Sequence, residues 1–129
     1  MNTIENLEFV GKRAFYRPFA TLTFERAVEL TGEAIRHARA HGCVDMLANL
    51  VGLTGFPSPS TIGRYSMALK WAESAGSSLR VAMVVRPEVM DPQKIGVLMA
   101  QNRGVRGDIF LTEIEALRWL DAFQSNAAT

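Results

Sequence analysis

A single cysteine, Cys43, is all that 129 residues offer, so no disulfide framework forms within the chain, and a reducing compartment is expected. Charge of one sign is equally scarce. Lys and Arg number 14 against 13 Asp and Glu, a formal net charge of +1, and both signs are scattered along the whole chain. A nucleic-acid reader usually gathers a basic excess on one face, so no nucleic-acid partner is expected. No apolar run approaches the roughly 20 residues a membrane-crossing helix needs. The opening Met1-Asn-Thr-Ile-Glu-Asn-Leu-Glu8 has no apolar stretch of signal-peptide length. The expectation is a cytoplasmic protein without a transmembrane segment.

Motifs that carry chemistry are missing too. Gly52-Leu-Thr-Gly55 has neither the lysine nor the spacing of a P-loop and does not match GxGxxG. The chain has no serine elbow, no HExxH and no cysteine pair with zinc spacing. His37 and His41 are four apart and can share a helix face, but Arg36 and Arg39 oppose a cation there and no third ligand is near in sequence. Cys43 follows a helix-ending glycine and precedes an apolar strand, the setting of a packed thiol rather than a nucleophile. No catalytic residue, metal ligand or cofactor is therefore nominated, and a non-enzymatic role is expected.

What is present is a regular alternation of periods. Apolar residues make up 48% of the chain and charged ones 21%, enough for one core in one domain spanning residues 1–129. Residues 4–22 read as two short strands broken at Gly11 and Pro18, with Phe15, Tyr16, Phe19 and Leu22 as strand formers. From Thr23 the period becomes helical through Phe24, Ala27, Val28, Thr31, Ala34, Ile35 and Ala38, ending at Gly42. Val44 to Val51 has the composition of a central strand covered on both faces. Ile62, Tyr65, Leu69 and Ala72 make one face of a second helix that ends at Gly76, and Leu79 to Val85 is a buried strand. Asp91-Pro92 opens a third helix that buries Ile95, Leu98 and Met99 and ends at Arg103-Gly104. A strand follows from Asp108 to Leu111. Thr112 with Glu115 then forms a capping box, opening a last helix with Ala116, Trp119, Leu120 and Phe123 on one face. The tail from Ser125 is expected to fray. The order β-β-α-β-α-β-α-β-α implies an α/β domain with a mixed, mostly parallel sheet of about five strands and four helices.

Three groups of residues are candidates for function. At the start of the second helix, Ser58 as N-cap, Pro59, Ser60 and Thr61 place hydroxyls at the positive helix end, where they cap free N–H groups or form a phosphorylation or anion site. Met67 and Trp71 share a stripe beside Arg64, which is either a partner or dimer contact or the margin of a wide core face. Arg17, Arg86 and Arg103, with Glu88 and Asp91, form a polar rim if they approach the same end of the sheet.

The stretch Met46-Leu-Ala-Asn-Leu-Val-Gly-Leu-Thr-Gly-Phe-Pro-Ser-Pro-Ser-Thr-Ile-Gly63 resembles the STAS family, specifically its SpoIIAA-like, anti-sigma-factor-antagonist branch. The resemblance spans nearly the whole chain. It implies one mixed sheet with four helices and sets Ser60 opposite the family's phosphorylatable serine. Where the family commonly has Asp-Ser-Ser or Asp-Ser-Thr, this chain reads Pro57-Ser58-Pro59-Ser60-Thr61. The closing Asn102 to Leu120 looks more like divergent STAS-like proteins linked with lipid-carrier domains. The expected function is a regulatory or protein-interaction module, acting as a homodimer. Its surface would run from Thr54 to Thr61 and along the second helix, with Phe56, Arg64, Tyr65, Met67, Trp71 and Met99. The alternative is a binding module for a small apolar or anionic ligand such as a lipid, walled by Tyr65, Met67, Trp71 and Met99.

Overall fold

The computed structural model describes residues 4–76, 78–89, 101, 104 and 106–127. A hairpin of β1 (Leu7–Val10) and β2 (Arg13–Tyr16) opens the chain, turning at Gly11 with φ +59°. There follow β3 (Ala20–Thr21), α1 (Phe24–Ala40), β4 (Asp45–Asn49), β5 (Leu53–Thr54), α2 (Thr61–Ala75), β6 (Arg80–Val84), β7 (Arg106–Phe110) and α3 (Glu113–Ala127). The main sheet has five strands in the order β1-β2-β4-β6-β7, antiparallel between β1 and β2 and parallel elsewhere. The protein is α/β with a mixed sheet.

Three helices lie among the described residues against four expected; the expected third helix, from Asp91 to Arg103, falls outside them except for Gln101, which is helical. The last helix runs to Ala127. No helix of the described residues is long and apolar enough to cross a membrane. A small second sheet, β3 with β5, was not legible in the sequence.

Side chains alternate across the sheet, as strand geometry requires. Ala14, Tyr16, Met46, Ala48 and Val81 join Ala34, Ile35 and Ala38 of α1 and Ala75 of α2 in one core. On the opposite face Leu47, Ala82 and Val84 pack under Ala116 and Leu120 of α3. Burial on both faces explains why β4 reads as a nearly continuous apolar run. Its ladder is shorter than the apolar run, because Val44 and Val51 lie beyond its ends and are exposed.

Polar residues close this strand at both ends. Asp45, 1% exposed, accepts hydrogen bonds from Arg13 Nε at 2.8 Å and Nη2 at 3.1 Å. The remaining Arg13 nitrogen, Nη1, donates to Asp121 of α3 at 2.8 Å. A carboxylate this buried is tolerable because both oxygens are met by a fixed guanidinium fork. Removing it leaves Arg13 with exposed Asp121 in place of its buried partner. Asp45→Asn is therefore expected to destabilise the fold by roughly 3 kcal/mol. Asp121→Asn, at a side chain 64% exposed, should cost below about 1 kcal/mol. Urea unfolding of the two variants checks the ranking, and equal losses would contradict it.

Candidate functional site

Each strand of the parallel run feeds a loop at its carboxyl end, and all three described helices begin there. Their caps are hydroxyl residues: Thr23 Oγ1 accepts from the Arg26 N–H at 3.2 Å, Ser60 Oγ from the Gly63 N–H at 3.0 Å, and Thr112 Oγ1 from the Glu115 N–H at 3.2 Å. The Thr112 hydroxyl also donates to Glu115 Oε1 at 2.9 Å, so the capping pair read from the sequence forms.

The loop between β4 and α2 is fastened on two sides. Towards α1, β5 pairs with β3, the Thr21 and Thr54 hydroxyls meet at 3.2 Å, and the Leu22 N–H donates to the Thr54 carbonyl at 2.8 Å. This approach depends on glycine: a Cβ on Gly55, whose φ is +101°, would lie 2.8 Å from the Leu22 carbonyl oxygen. Phe56 closes edge-on against Phe24 with ring centroids 5.7 Å apart. Towards β6, the Ser58 hydroxyl donates to the Glu88 carbonyl at 2.7 Å and Arg86 Nη2 donates to the Leu53 carbonyl at 3.3 Å. Arg86 also pairs with Glu88 at 3.4 Å.

Glu113 ties the remaining loops together. Its carboxylate takes a two-pronged bond from Arg17, with Nε at 2.9 Å and Nη2 at 3.0 Å, and a third bond from Asn49 Nδ2 at 2.7 Å. Asn49 Oδ1 in turn accepts from the Val51 N–H at 3.1 Å, shaping the chain as it leaves β4. The Arg17 bonds hold the Glu113 carboxyl below its ordinary value; partial burial opposes them and Asn49 adds to them. Arg17 also lies over the Phe15 ring, 5.1 Å from its centroid. Around this junction the same loops expose apolar side chains: Phe19 after β2 at 86%, Val51 after β4, Leu111 after β7, and Ile114 in the first turn of α3 at 66%.

Comparison with models of protein families, with curated proteins and with solved structures finds no match to this chain. The site is therefore read from its own chemistry.

The expected N-cap moves two residues. Ser60, not Ser58, caps α2, because the Ser58 hydroxyl is drawn to the Glu88 carbonyl. Thr61 becomes the first helical residue rather than the third. Ser58 and Ser60 are both exposed, on either side of buried Pro59. Trp71 faces α1: it packs against the first core, and its indole N–H donates to the Val28 carbonyl at 3.1 Å. Gly32 permits this seam, where an added Cβ would meet Ser74 Oγ at 3.4 Å and Trp71 Cδ1 at 3.8 Å. Met67 is half-buried. The side chains of Thr61, Arg64 and Tyr65, and the whole of Asp91, Met99 and Arg103, lie outside the described residues.

Of the expected rim, Arg17, Arg86 and Glu88 do reach the carboxyl end of the sheet, fixed by separate partners. Sequence reasoning missed Glu113, Asn49 and the four exposed apolar residues. Glu113 adjoins the capping box, and an acid beside Thr112 was the available signal for it.

Two outcomes follow. Glu113 has a lowered folded pKa, so its stabilising contribution is full above its ordinary value of 4.5 and disappears as pH falls through the lower folded value. Glu113→Gln should remove that part of the acid-side loss when melting temperature is followed from neutral to acidic pH; an unchanged pH slope would contradict the assignment. Ser60→Ala should cost about 1 kcal/mol in thermal unfolding, whereas Ser60→Asp keeps a capping oxygen and should lose little.

Proposed function

We propose that the protein is a non-enzymatic, STAS-like interaction module that recognises a protein partner through the loops at the carboxyl end of its sheet. The observation that carries this reading is the set of exposed apolar side chains, Phe19, Val51, Leu111 and Ile114, on loops joined through Arg17, Asn49 and Glu113. Isolated exposed apolar residues are ordinary on a protein surface. Four on adjoining loops, rimmed by charged groups, are the composition of a contact patch.

Ser60 ends the same β4–α2 connection that carries Val51, and this supplies a means of regulating the patch. Ser60 is exposed at the first turn of α2, so a phosphoryl group on it would meet free N–H groups and a positive helix end. It would also add close to two negative charges beside an apolar contact, enough to alter which partner fits. Pairing of two copies through the same patch belongs to this proposal, since an exposed apolar surface is self-complementary in kind.

The test places a photo-crosslinking benzoylphenylalanine at position 19 or 114 in the host of origin, with exposed position 40 at the far end of α1 as the control. Discrete adducts are expected from 19 and 114, with a second protein or with a second copy, and none from 40. Arg17→Ala should weaken them by loosening the loops. Absence of adducts at 19 and 114, or equal adducts at 40, would overturn the proposal.

A further inference from the structure

The amino ends of the parallel strands carry a different charged cluster, at the opposite end of the sheet from Glu113. Arg13, Asp45, Arg80 and Arg106 are register partners across β2, β4, β6 and β7. Side chains in register on parallel strands point to the same face, here the one covered by α3. Arg13 takes both oxygens of Asp45. Arg80 and Arg106 remain as a like-charged cross-strand pair with no ion-pair partner among the described residues.

The Arg80 guanidinium lies over the Phe123 ring, 3.7 Å from its centroid, and its Nε is buried without a hydrogen-bond acceptor. Burial first, and then Arg106, weaken its hold on its proton, while Asp45 acts in the opposite direction. Arg106 is exposed at the neighbouring strand, leaving an approach from solvent. Like charges directly opposite on neighbouring strands repel, and a buried donor without an acceptor is unfavourable. An anion between the two guanidiniums relieves the repulsion.

We infer that Arg80 and Arg106, backed by the Phe123 ring, form a binding site for a phosphate dianion, either free or as a phosphomonoester headgroup. Two guanidinium forks match the tetrahedral oxygens of phosphate with paired N–H bonds, which a lysine pair would not do. A dianion neutralises both charges, whereas a single carboxylate leaves one. Arg80 is already held in place against Phe123, so less side-chain freedom is lost on binding. This site is separate from the proposed contact patch, and neither reading depends on the other.

The test titrates inorganic phosphate into the full-length isotope-labelled protein at constant ionic strength, with chloride as the control, following the arginine Nε–H and Gly107 amide resonances. A saturable shift at these positions is expected. In Arg106→Gln the affinity should fall about tenfold or more, as expected for loss of charge-assisted hydrogen bonds. Arg118→Gln, on the exposed side of α3, should leave the affinity unchanged, and circular dichroism verifies that both variants stay folded. Sedimentation with phosphatidylcholine vesicles containing phosphatidic acid separates the two sources. Co-sedimentation that Arg106→Gln abolishes assigns a lipid headgroup; phosphate binding without co-sedimentation assigns a soluble phosphomonoester. Shifts no larger than those with chloride, or an unchanged affinity in Arg106→Gln, overturn the site.

Discussion

Burial of β4 on both faces is the constraint from which the rest of the architecture follows. Met46, Leu47 and Ala48 are wholly removed from water, so polar groups on this strand survive only at its ends and only with partners. Asp45 and Asn49 occupy those ends and share a face with Leu47. Both are served by α3: Asp45 reaches Asp121 through Arg13, and Asn49 bonds Glu113 directly. The helix is thus pinned at its start and again two turns on, with Ala116 and Leu120 packed between the pins. Buried ion pairs of this kind contribute little net stability compared with apolar packing; they fix one arrangement by making mispaired ones costly.

That pinning organises the carboxyl end of the sheet. Because Glu113 opens α3 and also holds Arg17 and Asn49, the residue after β2, the last residue of β4 and the start of α3 meet at one carboxylate. The β3–β5 ladder and the bonds from Ser58 and Arg86 bring in the remaining loop and the start of α2. Loops held this firmly lose little freedom on binding, which favours recognition by a preformed surface. The rigid loops display Phe19 and Ile114 outward while their polar neighbours are already paired among themselves. A partner would therefore displace water mainly from apolar surface.

Much of the scaffold was legible in the sequence, because long, strongly periodic elements declare themselves. The apolar period of α1 and the run from Leu79 to Val85 reflect burial that each element carries in its own residues. The site was less legible, since its bonds join distant positions. Ser58 looks like a cap in its local sequence, yet its hydroxyl goes to a carbonyl 30 residues away, and the cap passes to Ser60. Trp71 reads from the sequence as either a partner contact or the margin of a core face, and the choice is made by Gly32, which lets α1 approach closely enough to receive the indole. Val44 and Val51 are apolar enough to extend β4 in any pattern, and only the ladder reveals that they lie outside it. The junction at Glu113 spans separations of 64 and 96 residues, beyond the reach of any spacing rule.

Amide hydrogen exchange on the protein isolated with its bound partner, compared with the free protein, tests the central claim most directly. Slowed exchange in residues 18–22, 50–56 and 111–115, with the outer surface of α1 unchanged, is the predicted result. Unchanged exchange in those three segments, with protection appearing instead along α1 or the β1 edge, would contradict the account.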